Sequence, residues 1–265
     1  ITLARKKGVY DIKLADGSSE MDRDFVLRWK PVTGRAPTAA IFTEKVEGEN
    51  YGLLMLLPPD LTPSPEEDVL AREMVFVIDT SGSMGGESIE QARQSLLMAL
   101  GQLRAQDSFN IIEFNSQHRS VFRHSQPANR HYLQKAGEFV RTLSANGGTE
   151  MLPALQAALA VPLGGSNVDL ESKKAGRVRQ IIFITDGAIG NEDQLFEEIV
   201  ARLGNSRLFT VGIGSAPNSW FMRQAAKFGR GTHIHIGSPA EVTEKMALLF
   251  EQISAPLVVD IQVSW

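Results

Sequence analysis

The chain has 265 residues, 43% hydrophobic and 22% charged, an ordinary globular balance with room for one large domain or a medium domain beside a smaller one. A net charge of −4 supplies no field that would draw nucleic acid or an anionic membrane, and no run reaches the ~18 apolar residues of a membrane span. Cysteine is absent, which excludes disulfides, thiolate metal sites and cysteine nucleophiles but leaves the compartment open.

Residues 1–58 carry no helical period. Phe25–Trp29, Ala39–Thr43 and Tyr51–Leu57 read as strands, with turn signals at Asp16-Gly17 and Gly48-Glu49-Asn50. The stretch from Pro58 to Asp68 holds Pro58, Pro59, Pro63 and Pro65 and then three acids, the composition of a linker. A β-rich segment over 1–65 is therefore set apart from the remainder of the chain. The chain opens at Ile1 and stops at Trp265 inside an alternating pattern, so it is expected to be an excised fragment.

From Arg72 the pattern changes. Met74–Ile78 is a strand apolar on both faces, as central parallel strands are. Ser88 with Gln91 is a capping-box signature, and Ile89, Ala92, Leu96, Leu100 and Leu103 succeed it at helical spacing. Phe109–Phe114 is the next strand and Ser120–Arg123 a short one behind it. The gap between them is too small for a helical crossover, so this pair is antiparallel.

Helices are predicted over about 130–143, from Leu152 with Pro153 in the first turn, and over 193–203 with acids at the start and Gly204 at the end. Between the last two, Gln180–Thr185 repeats the opening logic, a buried strand ending in Asp186-Gly187. Leu208–Gly214 and His233–Ile236 are strands, separated by a helix over 220–228. The final helix is announced by Ser238, Pro239 and Glu241 and stopped by Pro256. The expectation is an α/β domain over 66–255, a doubly wound, mostly parallel six-stranded sheet with helices on both faces. Leu257–Trp265 is again strand-like and has only the N-terminal β region to join. Residues 256–265 are thus expected to complete a small antiparallel β unit formed by both chain ends.

Chemistry concentrates just past the strand ends. Asp79, Ser81 and Ser83 lie on one turn beyond the first buried strand, where open α/β sheets take their ligands. Three hard oxygen donors with no sulfur or imidazole suit a hard cation such as Mg²⁺. The plainer reading of an isolated D-x-S-x-S is a polar loop leading into a helix.

Asp79-Thr80-Ser81-Gly82-Ser83, Thr149 in a Gly-Gly-Thr turn, and Asp186 in Thr-Asp-Gly together resemble the metal-ion-dependent adhesion site of von Willebrand factor type A domains. The similarity covers roughly Arg72 to Ala255. In subtype it resembles inter-α-trypsin inhibitor heavy chains and their bacterial relatives, including sortase-target surface proteins of proteobacteria. The resemblance implies a cell-surface or envelope location and a non-enzymatic adhesion module. Ser81, Ser83 and Thr149 would be direct hydroxyl ligands of Mg²⁺, with Mn²⁺ and Ca²⁺ as other hard cations of the same kind. Asp79 and Asp186 would hold metal-bound waters or coordinate directly. Neutral hydroxyls with two acids leave the cation under-neutralised, so an Asp or Glu from a partner protein can complete its coordination.

Glu150 comes directly after Thr149. It reads as solvent-facing at a helix start; the sharper reading is that it neutralises the metal and weakens partner carboxylates. Rival chemistries lack their residues. A haloacid-dehalogenase-type phosphatase wants an Asp where Ser81 stands, and Gly212-x-Gly214 is followed by Pro217 instead of the third glycine of a dinucleotide fingerprint. Neither G-x-x-x-x-G-K-[ST] nor G-x-S-x-G occurs. His233 and His235 share one side of a strand but are only two. His118, His124 and His131 with Arg119, Arg123, Arg130, Lys135 and Arg141 form one locally basic region, by default a solvated face. The two alternatives to a protein-binding module are a scaffold whose metal only stiffens loops, and a metal-assisted hydrolase, disfavoured because no general base or nucleophile is identifiable.

Overall fold

The structure is a computed structural model that describes residues 2–6, 9–14, 38–57, 71–160, 178–187 and 192–254. The chain divides into two compact units, Ile1–Thr62 and Pro63–Trp265. In the first, β1 (Thr2–Lys6) pairs antiparallel with β2 (Val9–Lys13), and β3 (Thr38–Val46) pairs antiparallel with β4 (Glu49–Leu57). Glu47 and Gly48 close the second hairpin with φ of 50° and 92°. Positive φ at both central residues gives a turn whose twist matches the strands it joins. The strands expected near 39–43 and 51–57 are these two. The hairpin of β1 and β2 is not among the expected elements, because charged residues interrupt its apolar alternation. The expected strand Phe25–Trp29, the Asp16-Gly17 turn, the proline-rich linker and the terminal strand 256–265 lie outside the described residues.

The second unit is built on β5 (Arg72–Asp79), β6 (Ser108–Phe114), β7 (His118–Ser120), β8 (Gln126–Pro127), β9 (Val178–Thr185), β10 (Arg207–Ile213) and β11 (His233–Ile236). Their order is β11-β10-β9-β5-β6-β7, with β8 also on β6. All pairings are parallel except those of β7 and β8 with β6. The sheet is seven-stranded where six strands were expected. The addition is β8, a two-residue pairing containing a proline, too short to leave a period in the sequence. The edge strand β7 also begins earlier than Ser120, because a tight turn at 115–117 sets the register Phe114↔His118 and Ile112↔Ser120.

Strand β5 sits in the middle because both of its faces are apolar. Met74, Phe76 and Ile78 pack into one core with α1 (Glu87–Gly101), α2 (Arg130–Thr142) and α6 (Val242–Ser254). Val75 and Val77 point the other way, into a core made by α3 (Met151–Ala160), α4 (Glu192–Arg202) and α5 (Ser219–Phe228). All five side chains are fully buried, each contributing about 1.5–3 kcal/mol in the usual accounting of apolar burial.

The helix starts depart in detail from the expected caps. Helix α1 begins at Glu87 after Gly86, and Gln91 makes no capping box; its Oε1 accepts from the Gly214 N–H at 3.3 Å instead. At the last helix, Ser238 leads into a 3₁₀ turn, Pro239–Glu241, that runs on into α6, and the Glu241 carboxylate accepts from the Gly237 N–H at 3.1 Å.

From β5 the chain moves to β6 on one side, and from β9 to β10 on the other. Strands β5 and β9 are neighbours, so the direction of winding reverses between them. A crevice opens beyond the C-terminal ends of strands at such a point.

Candidate metal centre

Asp79 ends β5 with its carboxylate wholly buried. Its Oδ1 accepts from the Ser81 N–H at 2.8 Å and its Oδ2 from the Thr185 hydroxyl at 2.5 Å. The Thr185 hydroxyl in turn accepts from the Gly187 N–H at 2.9 Å. Burial pushes the Asp79 carboxyl above the ordinary carboxylate value, hydrogen bonding from Thr185 and Ser81 opposes this, and the Asp186 charge adds to it. Two acids therefore sense each other across the winding reversal, one at the end of β5 and the other immediately after β9.

After Asp79 the chain turns sharply. Ser81 is buried and Ser83 exposed on a 3₁₀ turn, Gly82–Met84, and their Oγ atoms stand 3.0 Å apart. The turn carrying Thr149 is fastened to this loop through backbone: Gly82 N–H donates to Gly147 O at 3.0 Å, and Asn146 N–H to Thr80 O at 2.8 Å. Asp186, half-buried, holds the start of α5 by accepting at its carbonyl from the Asn218 N–H at 2.9 Å. The five residues singled out in the sequence thus lie on three loops: the Asp79–Ser83 turn is stitched to the Thr149 turn, and Asp79 is tied to Thr185, the residue before Asp186.

The donor set fits a small hard cation. Adjacent ligands around an octahedral Mg²⁺ with bonds of ~2.1 Å stand about 3.0 Å apart, which is the spacing of the Ser81 and Ser83 hydroxyl oxygens. Both oxygens of Asp79 are already engaged by N–H and O–H donors, which suits a carboxylate acting through bound water. Among the described residues no three His, Asp or Glu side chains come together, so any cation here would depend on hydroxyls.

Sequence reasoning does not single out Thr185, Asn115 or Ser116. Thr185 is the residue that fixes Asp79, while Asn115 and Ser116 come just after the C-terminal end of β6, beside the same crevice. That position, polar residues at the end of a buried parallel strand, is the available signal. Glu150 is exposed. The histidines of β11 are engaged separately: His235 Nε2 contacts Gly214 O at 2.7 Å, and His233 Nδ1 contacts the Thr210 hydroxyl at 3.1 Å. Thr210 already donates to Met222 O at 2.9 Å, so His233 is the donor to it, and burial holds the imidazole below its usual pKa. In the basic region, Arg119 is paired with Glu113 at 2.5 Å and lies over the Phe139 ring.

A family model for the von Willebrand factor type A domain matches residues 72–234. The chain belongs to that family. It is 30% identical over 220 residues, 82% of its length, to a von Willebrand factor A domain-containing protein of Dictyostelium discoideum. It is 26% identical over 223 residues, also 82% of its length, to inter-alpha-trypsin inhibitor heavy chain H1 of Mesocricetus auratus. It spans 22% and 23% of those two relatives. Among solved structures, a von Willebrand factor type A protein from Catenulispora acidiphila superposes with a TM-score of 0.59 at 22% identity, covering 81% of this chain and 45% of that one. Domains of this family are commonly protein-interaction modules. Among the described residues no helix is long and apolar enough to cross a membrane.

Proposed function

We propose that this chain is a Mg²⁺-dependent protein-binding module. Ser81, Ser83 and Thr149 would hold the cation through their hydroxyls, with Asp79 and Asp186 bound to it directly or through water. The metal supplies an electrophilic anchor for an Asp or Glu side chain of a partner protein. The observation that carries this reading is the 3.0 Å pair of serine hydroxyls beside two acids at the winding reversal.

The chain's own residues support it. Thr185 keeps Asp79 oriented, and the buried Asp79 carboxylate is a poorly solvated negative charge that a cation would stabilise. Ser83 is exposed, so a partner can approach from that side. Glu150 is exposed one residue from Thr149; if it neutralises the metal, Glu150→Ala should strengthen binding of an acidic partner, and unchanged or weaker affinity would contradict that role. Display at a cell surface or in the envelope belongs to the same proposal and rests on the family resemblance.

The test is a pull-down in Mg²⁺ and in EDTA with Asp79→Ala as control. Retention in Mg²⁺ alone, lost in the variant, is expected. A Mg²⁺-dependent rise in melting temperature with no metal-dependent partner binding would instead make the metal a scaffold element.

A further inference from the structure

Thr149 is separated in sequence from the Asp79–Ser83 turn and sits directly after two consecutive glycines, so something must hold it in place. Two residues do so, and neither is among the five proposed to bind the cation. The Ser116 hydroxyl accepts from the Gly148 N–H at 2.7 Å, and Asn115 O accepts from the Glu150 N–H at 2.7 Å. The residues on both sides of Thr149 are therefore pinned to the same short turn after β6.

That turn also reaches the other loop. The Asn115 side-chain amide donates to the Thr80 hydroxyl at 3.3 Å and to Asn146 Oδ1 at 3.2 Å. Thr80 Oγ1 lies within hydrogen-bonding distance of Glu113 Oε1 (3.1 Å) and of Phe114 O (3.2 Å), both on β6. The fit is close: a Cβ on Gly147, whose φ is 75°, would stand 2.8 Å from Ser116 Oγ. Only a residue without a side chain lets the loop approach the serine so nearly.

We infer that Asn115 and Ser116 are positioning residues for the metal centre, fixing the Thr149 hydroxyl relative to those of Ser81 and Ser83. The inference rests on the Mg²⁺ reading of the site. Outer partners that orient ligands typically carry about 10–100-fold in metal affinity.

The test is a calorimetric Mg²⁺ titration of the whole chain, with apo melting temperature measured alongside. Ser116→Ala should weaken Mg²⁺ binding about tenfold, and Ser116→Thr, which keeps the hydroxyl, should restore most of it. Asn115→Ala should weaken binding to a similar degree. The decisive comparison is a double-mutant cycle with Thr149→Ala. If Ser116 acts through Thr149, Ser116→Ala has no further effect in that background, whereas a general structural role would add its full effect. Wild-type affinity in Ser116→Ala, or full additivity in the cycle, overturns the inference while leaving the site reading intact. Absence of Mg²⁺ binding in the wild type overturns both.

Discussion

At the scale of single residues the centre is governed by one buried acid. Asp79 has no exposed surface, and burial raises its carboxyl above the ordinary value of 3.8. Between that value and the raised one, the folded metal-free protein binds more protons than the unfolded chain, so the Asp79 contribution to stability falls as pH rises through this window. Asp79→Asn removes the charge and keeps an acceptor for the Ser81 N–H, but its amide nitrogen cannot accept from the Thr185 hydroxyl, so the readout is the pH dependence and not the absolute melting temperature. In EDTA the variant should lose less stability than the wild type as pH rises from ~4 to ~7. Mg²⁺ at neutral pH should raise the melting temperature of the wild type more than that of the variant. Thermal melts across pH with and without Mg²⁺ check this, and a wild type whose stability relative to the variant does not fall over that range in EDTA would contradict it.

At the scale of elements, loops are held by specific hydrogen bonds and helices by caps and burial. Asn129 caps α2, its Oδ1 accepting from the Tyr132 N–H at 3.1 Å, so Asn129→Ala should cost about 1 kcal/mol in denaturant unfolding. Phe76 is fully buried against the α1, α2 and α6 side of the sheet, and Phe76→Ala should cost about 3–5 kcal/mol. The elements are largely legible in the sequence because their periods are strong: the apolar run of Met74–Ile78, the spaced leucines of α1, the strand-to-acid endings at Asp79 and Asp186. What is not legible depends on tertiary partners. Gln91 reads as a cap, yet the Gly214 N–H claims it; β8 exists only because β6 has an unpaired half beside it. The candidate residues can be named from motif spacing. Thr185, Asn115 and Ser116 cannot, because their roles come from bonds across chain separations that no local pattern encodes.

At the scale of the whole α/β unit, the ends of the sheet differ in purpose. The C-terminal edge carries the acids and hydroxyls. The opposite edge is locked by buried charge: Arg72 pairs with Asp107 at 2.6 Å and reaches Ser254 at the end of α6 at 3.3 Å, while Glu73 pairs with Arg179 at 2.8 Å. Removing one partner leaves a buried charge unmet, so Arg72→Ala should destabilise by about 3–5 kcal/mol. Its Mg²⁺ affinity should stay near wild type, because the lock and the centre lie at opposite ends of β5.

Magnesium titration calorimetry on EDTA-stripped wild type and Asp79→Ala tests the central claim most directly. One saturable site in the wild type, absent from the variant, is the predicted result; bound to that site at 100 times its Kd, Mg²⁺ should also add about 2.7 kcal/mol of stability. No saturable binding in the wild type, or equal binding in Asp79→Ala, would contradict it.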